Sequence, residues 1–171
     1  TCVVPSYSLP NSIVRRIADQ ARALAERLKV RGLMNVQLAV KDETVYILEV
    51  NPRASRTAPF VSKAKGIPWA NIAAKVMMGA SLETLNVREL ERTGFFAVKE
   101  SVFPFSKFPG VDVVLGPEMR STGEVMGADR SLPVAFAKAQ MAAGVPLPTS
   151  GKVFLSVRDA EADIMDLLDS G

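Results

Sequence analysis

The chain has 171 residues, 48% of them hydrophobic, a length and composition that suit one globular domain. Its formal net charge of +3 is small and its Lys and Arg residues are scattered, so nucleic-acid binding is not favoured. With no histidine and one cysteine, it cannot form a Ser-His-Asp triad, an imidazole base or a typical zinc site, whereas phosphoryl transfer is not excluded.

Cysteine and apolar content also bear on location. The single cysteine, Cys2, cannot form an internal disulfide, which is typical of a reducing cytosol and predicts a cytoplasmic protein. No apolar run approaches the length of a membrane span, so no membrane association is expected. The first residue is not Met, and residues 152–169 supply one predicted strand and one helix, too little for a sheet, so we expect a fragment of a longer protein.

The first half of the chain is predicted to contain two helices and a hairpin. Apolar residues recur at helical spacing over residues 11–29, with Gly32 as a stop signal. Two apolar runs, 34–40 and 45–50, flank a short polar turn and predict a β-hairpin. A further helix is predicted over residues 69–78, with Pro68 suited to its start.

The register of the hairpin follows from keeping apolar side chains on one face. A three-residue turn at residues 42–44 does this, whereas a two-residue turn would mix polar and apolar side chains on each face. The expected pairs are Val36–Val50, Leu38–Leu48 and Val40–Tyr46 on one face, and Gln37–Glu49 and Asn35–Asn51 on the other.

The second half has less regular patterning. A strand is predicted over residues 95–105, and the Gly- and Pro-rich stretch 106–130 is interpreted as an ordered loop. A helix is expected over residues 131–143. Residues 144–151 are the best linker candidate, followed by the strand and helix at 152–169.

The chemically most informative segment is the end of the second hairpin strand. Glu49 and Asn51 lie two residues apart and project to one side, and Gln37 joins them across the hairpin. One carboxylate and two carboxamides are oxygen ligands suited to magnesium that also carries nucleotide phosphates. Just beyond, Arg53 and Arg56 offer planar forks for phosphate or carboxylate oxygens.

Each of these residues taken alone is more often a solvated or turn-capping side chain. The joint pattern of five favours a nucleotide-phosphate site. The same residues also carry a resemblance to the ATP-grasp site of the carbamoyl-phosphate synthase large subunit. The similar segments are Asn-Val-Gln at 35–37, Leu-Glu-Val-Asn-Pro-Arg at 48–53, Arg-Thr-Ala-Pro-Phe-Val-Ser-Lys-Ala at 56–64, Lys-Phe-Pro-Gly-Val-Asp at 107–112 and Leu-Gly-Pro-Glu-Met-Arg-Ser-Thr-Gly-Glu-Val-Met-Gly at 115–127.

The resemblance implies an α+β fold. Residues 1–143 are expected to form the C-terminal part of the second of that family's two ATP-grasp synthetase halves, an antiparallel sheet with flanking helices. Residues 144–151 would be a linker. Residues 152–171 would be the first strand and helix of an α/β, methylglyoxal-synthase-like allosteric domain.

The resemblance also implies an enzyme, an ATP-dependent ligase that phosphorylates carbamate to carbamoyl phosphate for arginine and pyrimidine biosynthesis. Gln37, Glu49 and Asn51 match ligands of magnesium or manganese that bridge the phosphates of ATP, and Glu49 matches a residue near a potassium site. Arg53 and Arg56 match residues that hold carbamate or the product phosphate. The family's partners are a glutamine amidotransferase small subunit, in an oligomer of such heterodimers, and the substrates ATP and bicarbonate.

Two alternatives stay open at this point. The first is another ATP-grasp carboxylate ligase such as a biotin carboxylase, against which the segment 119–127 argues. The second is a non-catalytic interaction module that keeps the fold. The fragment alone is expected to be inactive, because the half of the ATP-grasp unit with the adenine pocket is absent.

Overall fold

The computed structural model describes residues 1–87, 94–102, 123–152 and 154. These residues form an α+β arrangement with two antiparallel sheets, which confirms the predicted fold class. The elements in chain order are β1 (Cys2–Val4), α1 (Asn11–Arg27), β2 (Asn35–Lys41), β3 (Thr44–Asn51), α2 (Thr57–Lys65), α3 (Trp69–Met77), β4 (Phe96–Val102), β5 (Gly123–Asp129) and α4 (Leu132–Ala142).

The sheet formed by β2 and β3 is an antiparallel hairpin, as predicted, and α1 contacts β3. The turn has two residues, Asp42 and Glu43, with φ values of 48° and 61°. Positive φ at both positions is the type I′ geometry that matches the twist of a hairpin. The guanidinium of Arg16 on α1 donates to the Glu43 carbonyl oxygen at 2.8 Å and so ties the helix to the turn.

The predicted three-residue turn is therefore wrong, and so is the register next to it. Leu38 pairs with Ile47 rather than with Leu48, which is an extra, exposed residue in a β-bulge. Val40 likewise pairs with Val45. Because the bulge adds one residue to β3, the hairpin recovers the predicted register beyond it. The pairs at the open end are as predicted: Asn35–Asn51, Val36–Val50 and Gln37–Glu49.

The second sheet has the order β1-β4-β5, with β4 in the centre and antiparallel to both neighbours. Helix α4 packs across β4 and β5. Val98 of β4 and the alanines Ala135 and Ala139 of α4 are fully buried there and form the core of this layer. Gly127 of β5 is also buried against α4, where it leaves no room for a Cβ atom, so strand and helix meet at backbone distance.

The predicted helices at 11–29, 69–78 and 131–143 are confirmed as α1, α3 and α4, and the strand at 95–105 is confirmed over Phe96–Val102. The predicted loop at 106–130 is wrong over Gly123–Asp129, which is β5, and residues 106–122 lie outside the described residues. Strand β1 and helix α2 were not predicted. The strand and helix expected at 152–171 also lie outside, apart from residues 152 and 154, so the domain boundaries stay predictions.

In the part of the chain that the structure describes, no helix combines the length and apolar character needed to cross a bilayer.

The connection from β5 to α4 is closed by one carboxylate. Asp129 accepts a hydrogen bond from the backbone N–H of Ser131 at 3.0 Å and pairs with the ammonium of Lys138 at 2.7 Å. These two donors, Lys138 first, lower the pKa of the Asp129 carboxyl from 3.8. The negative charge of Asp129 therefore stabilises the first turn of α4 and its docking on the sheet.

We expect Asp129→Asn to lower the stability of the chain at pH 7 and to lower it less at pH 3, which lies below the ordinary pKa of 3.8 for this carboxyl. A carboxyl group whose pKa is lower in the folded than in the unfolded state stabilises the folded chain at pH values above the unfolded-state pKa. This stabilisation is lost as the pH falls through the folded-state pKa. Urea denaturation of both proteins at the two pH values measures the difference. Asp19→Asn is the control, since Asp19 pairs with Arg22 on an exposed helix surface and should change stability little at either pH. A difference for Asp129→Asn that is equal at pH 7 and pH 3 would contradict this account.

Candidate functional site

The open end of the hairpin brings three of the predicted ligand residues together. Gln37 on β2 is directly opposite Glu49 on β3, and Asn51 follows two residues later on the same strand. Cross-strand partners and residues two apart share one face of a ribbon. Gln37 and Glu49 are exposed and Asn51 is half-buried, so their polar groups are not sealed within the core.

Glu49 and Asn51 also contact each other. The Asn51 amide nitrogen donates to Oε1 of Glu49 at 2.6 Å. This hydrogen bond orients the amide of Asn51 and leaves its oxygen, a hard acceptor, at the same end of the ribbon. The pair therefore presents one carboxylate and one carboxamide from a single strand.

The two arginines lie in the loop that follows β3. The backbone N–H of Arg53 donates to the Asn51 carbonyl oxygen at 2.8 Å, which makes a tight turn immediately after the strand. The guanidinium of Arg53 donates to the carbonyl oxygen of Ala54 at 3.0 Å. Arg56 comes directly before α2, and both arginines are exposed. Arg53 and Arg56 therefore lie on a short loop that directly follows the open end of the hairpin in the chain.

Helix α2 holds this loop at its other end. The hydroxyl oxygen of Ser55 accepts the backbone N–H of Thr57 at 3.2 Å, which satisfies one of the unpaired donors at the start of the helix. Pro59 lies in the first turn, where its missing N–H costs nothing. The helix ends at Gly66, whose φ of 67° is the left-handed conformation common at helix C-termini.

The donor set at the hairpin end fits magnesium or manganese carrying a triphosphate. Among the described residues, no group of three or more His, Cys, Asp or Glu side chains could hold a metal on its own. Magnesium in nucleotide sites does not need one, because one or two carboxylates suffice when phosphate oxygens and water complete the octahedron. In such a site Glu49 would supply the charge, while Gln37 and Asn51 would supply neutral oxygens.

A cleft of about 680 Å³ is lined by residues of α2, β4, β5 and α4. Lys99 of β4 pairs with Glu124 of β5 at 2.9 Å and lies 5.9 Å from the ring centroid of Phe60 on α2. The side chain of Lys99 is only 13% exposed. Sequence reasoning missed this group, because its members are far apart in the chain and no local pattern links them.

Comparison with known proteins gives a consistent result. The sequence profile of the family described as carbamoyl-phosphate synthase L chain, ATP binding domain, matches residues 1–85. The carbamoyl phosphate synthase large chain of Mesorhizobium japonicum is 57% identical over 165 residues, covering 94% of this chain and 14% of the relative.

Two further relatives bear the same name. The large chain of Archaeoglobus fulgidus is 59% identical over 157 residues, covering 92% of this chain and 15% of the relative. That of Pseudomonas syringae pv. tomato is 54% identical over 175 aligned residues, covering 99% of this chain and 16% of the relative. The chain therefore spans between 14% and 16% of the length of these relatives, and the similarity runs along nearly all of it.

Proposed function

We propose, from the premise that this chain belongs to the carbamoyl phosphate synthase large-chain family, that it supplies the metal- and phosphate-binding end of an ATP-binding domain that phosphorylates carbamate. The observation that carries the proposal is the shared face of Gln37, Glu49 and Asn51 at the open end of the hairpin, next to the loop with the two arginines. The alternative of a biotin carboxylase is not favoured, because the relatives reported above are all carbamoyl phosphate synthases.

In this proposal Gln37, Glu49 and Asn51 hold magnesium or manganese through their side-chain oxygens. The bound ion would neutralise charge on the phosphate oxygens of ATP. Glu49 carries the one full negative charge of the three, and Asn51 holds it in place through the 2.6 Å hydrogen bond. The exposure of Gln37 and Glu49 leaves room for the triphosphate above the ribbon.

Arg53 and Arg56 are proposed to orient the acceptor. A guanidinium fork can hold two oxygens of carbamate, or of the phosphate product, at once. In the reaction a carbamate oxygen attacks the γ-phosphorus of ATP, so that a new O–P bond forms and the bond to the ADP oxygen breaks. Since both reactants are anions, the two cations would lower the repulsion between them.

The finer assignments belong to the same proposal. Residues 1–143 would be the C-terminal portion of the carbamate-phosphorylating ATP-grasp unit, followed by a linker at 144–151 and the start of an allosteric domain at 152–171. A potassium ion near Glu49 and a glutamine amidotransferase small subunit as partner are further parts of it. The product, carbamoyl phosphate, would serve arginine and pyrimidine biosynthesis in the cytoplasm.

The test of this proposal is Arg56→Lys in a large chain that carries this segment. The substitution keeps the positive charge but removes the bidentate fork, so kcat/KM for carbamate should fall about tenfold or more. The rate of ATP formation from ADP and carbamoyl phosphate, the reverse of the proposed step, should fall by a similar factor.

Arg31→Lys is the matched control, because Arg31 is an exposed arginine outside the candidate site. It should leave both rates unchanged. If Arg56→Lys retains the rates of the unaltered protein in both directions, the assignment of the loop to the anionic substrate is wrong.

A further inference from the structure

Helix α4 presents apolar side chains on the side that faces away from its sheet. Ala137 and Met141 follow Val134 by three and seven positions, the spacing of one helix face, and this face points away from the buried Ala135 and Ala139. Val134 is 43% exposed and Met141 is 62% exposed. A helix surface in contact with water normally carries charged or polar residues, so an apolar outer face is typical of an interface.

The polar side chains of α4 are both used on the inner side. Among its eleven residues only Lys138 and Gln140 have polar side chains. The ammonium of Lys138 pairs with Asp129 of β5 at 2.7 Å, and the amide nitrogen of Gln140 donates to Oε2 of Glu100 on β4 at 2.9 Å. Both bonds join the helix to its own sheet, so neither group is left to hydrate the outer face. A helix that is apolar on all sides is typical of a position between two packed layers.

The size of the outer face limits what can cover it. A helix of this length is about 16 Å long and about 10 Å wide, so the face offers roughly 160 Å². A stable contact between separate molecules buries about 800 Å² on each partner. A body joined to the same polypeptide needs far less contact area, because the connection holds it at a high effective concentration. The size therefore favours an occupant in the same chain over a second copy or a separate protein.

The apolar surface continues in the C-terminal direction. Val145 and Leu147, just beyond the helix, are also exposed. The chain spans between 14% and 16% of the length of its relatives, so most of a large chain is available to provide the occupant. On the face itself the small Ala137 lies between the longer Val134 and Met141, which leaves a depression for one large side chain of a crossing helix.

We propose that the outer face of α4, formed by Val134, Ala137 and Met141, is the docking surface for an apolar helix in the part of a large chain that follows this segment. An aliphatic or aromatic side chain of that helix would lie on Ala137. Neither the proposed metal ligands nor the two arginines of the loop take part in this contact.

Met141 reports directly on whether the face is covered. We would treat the 171-residue chain and a large chain that carries it with hydrogen peroxide and follow sulfoxide formation at Met141 by mass spectrometry. Each rate is divided by that of the same protein unfolded in urea. The normalised rate should be at least tenfold lower in the large chain, because the docked helix would cover the sulfur. Equal normalised rates would show that the face is open and would overturn the proposal.

Photochemical cross-linking identifies the occupant. Met141 of a large chain would be replaced by an aliphatic residue that carries a diazirine, and a mixture of unlabelled and nitrogen-15-labelled chains would be irradiated. Cross-links are expected within one copy, to an apolar peptide that follows residue 171. Cross-links between labelled and unlabelled chains would mean a second copy, and cross-links to a peptide that precedes Thr1 would mean a different part of the chain. Either result would overturn the assignment.

Two variants test the contact itself. In a large chain, Met141→Glu should release the docked helix, so proteolytic cleavage within residues 144–151 should become about tenfold faster. Met141→Leu is the matched control: it keeps an apolar side chain of similar volume and should leave the cleavage rate unchanged. In the 171-residue chain, where residues 144–151 are already largely exposed, both variants should be cleaved at the rate of the unaltered protein. Equal cleavage of Met141→Glu and the unaltered large chain would contradict docking on α4.

Discussion

Gly127→Ala is expected to destabilise the chain by about 3 kcal/mol or more, the upper end of the range for overpacked cores. A Cβ atom at Gly127 would overlap the carbonyl oxygen of Ala135 and lie 2.5 Å from the backbone nitrogen of Ala139. Both are backbone atoms of α4, so relief requires the whole helix to move away from β5. That movement would also open the contact with the fully buried Val98, which forms the core of this layer. Urea denaturation followed by circular dichroism measures the loss.

Gly123→Ala in the same strand separates the packing effect from the general effect of replacing a glycine. The nearest atom to a Cβ at Gly123 is the Cβ of Val102 at 3.5 Å, an ordinary van der Waals contact. This variant should change stability by less than about 1 kcal/mol, because replacing glycine also lowers the entropy of the unfolded chain. Equal stabilities of the two alanine variants would show that α4 does not press on β5 as the structure indicates.

Local patterns in the sequence were sufficient to predict the hairpin but not its turn. Val45 and Ile47 alternate as a strand requires, whereas Val50 is one residue out of step with them. A β-bulge at Leu48 accommodates this extra residue. Val45, Ile47 and Val50 of β3 therefore all lie on the face of the hairpin that carries Leu38 of β2. The predicted three-residue turn instead places the extra residue in the turn, which keeps the same face apolar without a bulge.

Elements that depend on distant partners were harder to predict. Strand β5 has a Gly-rich sequence with weak strand propensity, and it is a strand because it pairs with β4 and packs on α4. Helix α2 contains Pro59 near its start, which reads locally as an interruption. Its hydroxyl cap from Ser55 is visible in the sequence only once the helix is known to begin there.

In the candidate site, too, some neighbouring residues could be predicted from local sequence and others could not. Gln37, Glu49 and Asn51 could be predicted as neighbours because one hairpin register fixes all three. Lys99 could not be related to Phe60 in advance, since the two residues belong to different elements, β4 and α2, and come together only in the folded chain. Periodicity relates residues within an element, whereas contacts between elements need the tertiary structure.

Glu49→Gln is expected to lower kcat for carbamate phosphorylation by about two orders of magnitude or more in a large chain that carries this segment, in line with the loss of one preorganised electrostatic group. The glutamine keeps the shape of the side chain and one oxygen. That oxygen can accept a hydrogen bond from the Asn51 amide nitrogen, which lies 2.6 Å from Oε1 of Glu49 in the unaltered protein. Only the charge disappears. Since Glu49 is exposed, the unfolding free energy of the 171-residue chain should change by less than about 0.5 kcal/mol.

Glu43→Gln is the matched control, the same substitution at the other end of the same hairpin. Glu43 contributes its backbone carbonyl to Arg16, so exchange of its side chain leaves that hydrogen bond in place. Turnover and stability should both stay at the level of the unaltered protein. If Glu49→Gln keeps full turnover, the hairpin face does not hold a metal for phosphoryl transfer, and the segment would then be an interaction module that retains the fold. If it loses turnover together with stability, its role is structural, because an exposed carboxylate that acts through a metal does not contribute to folding of the metal-free chain.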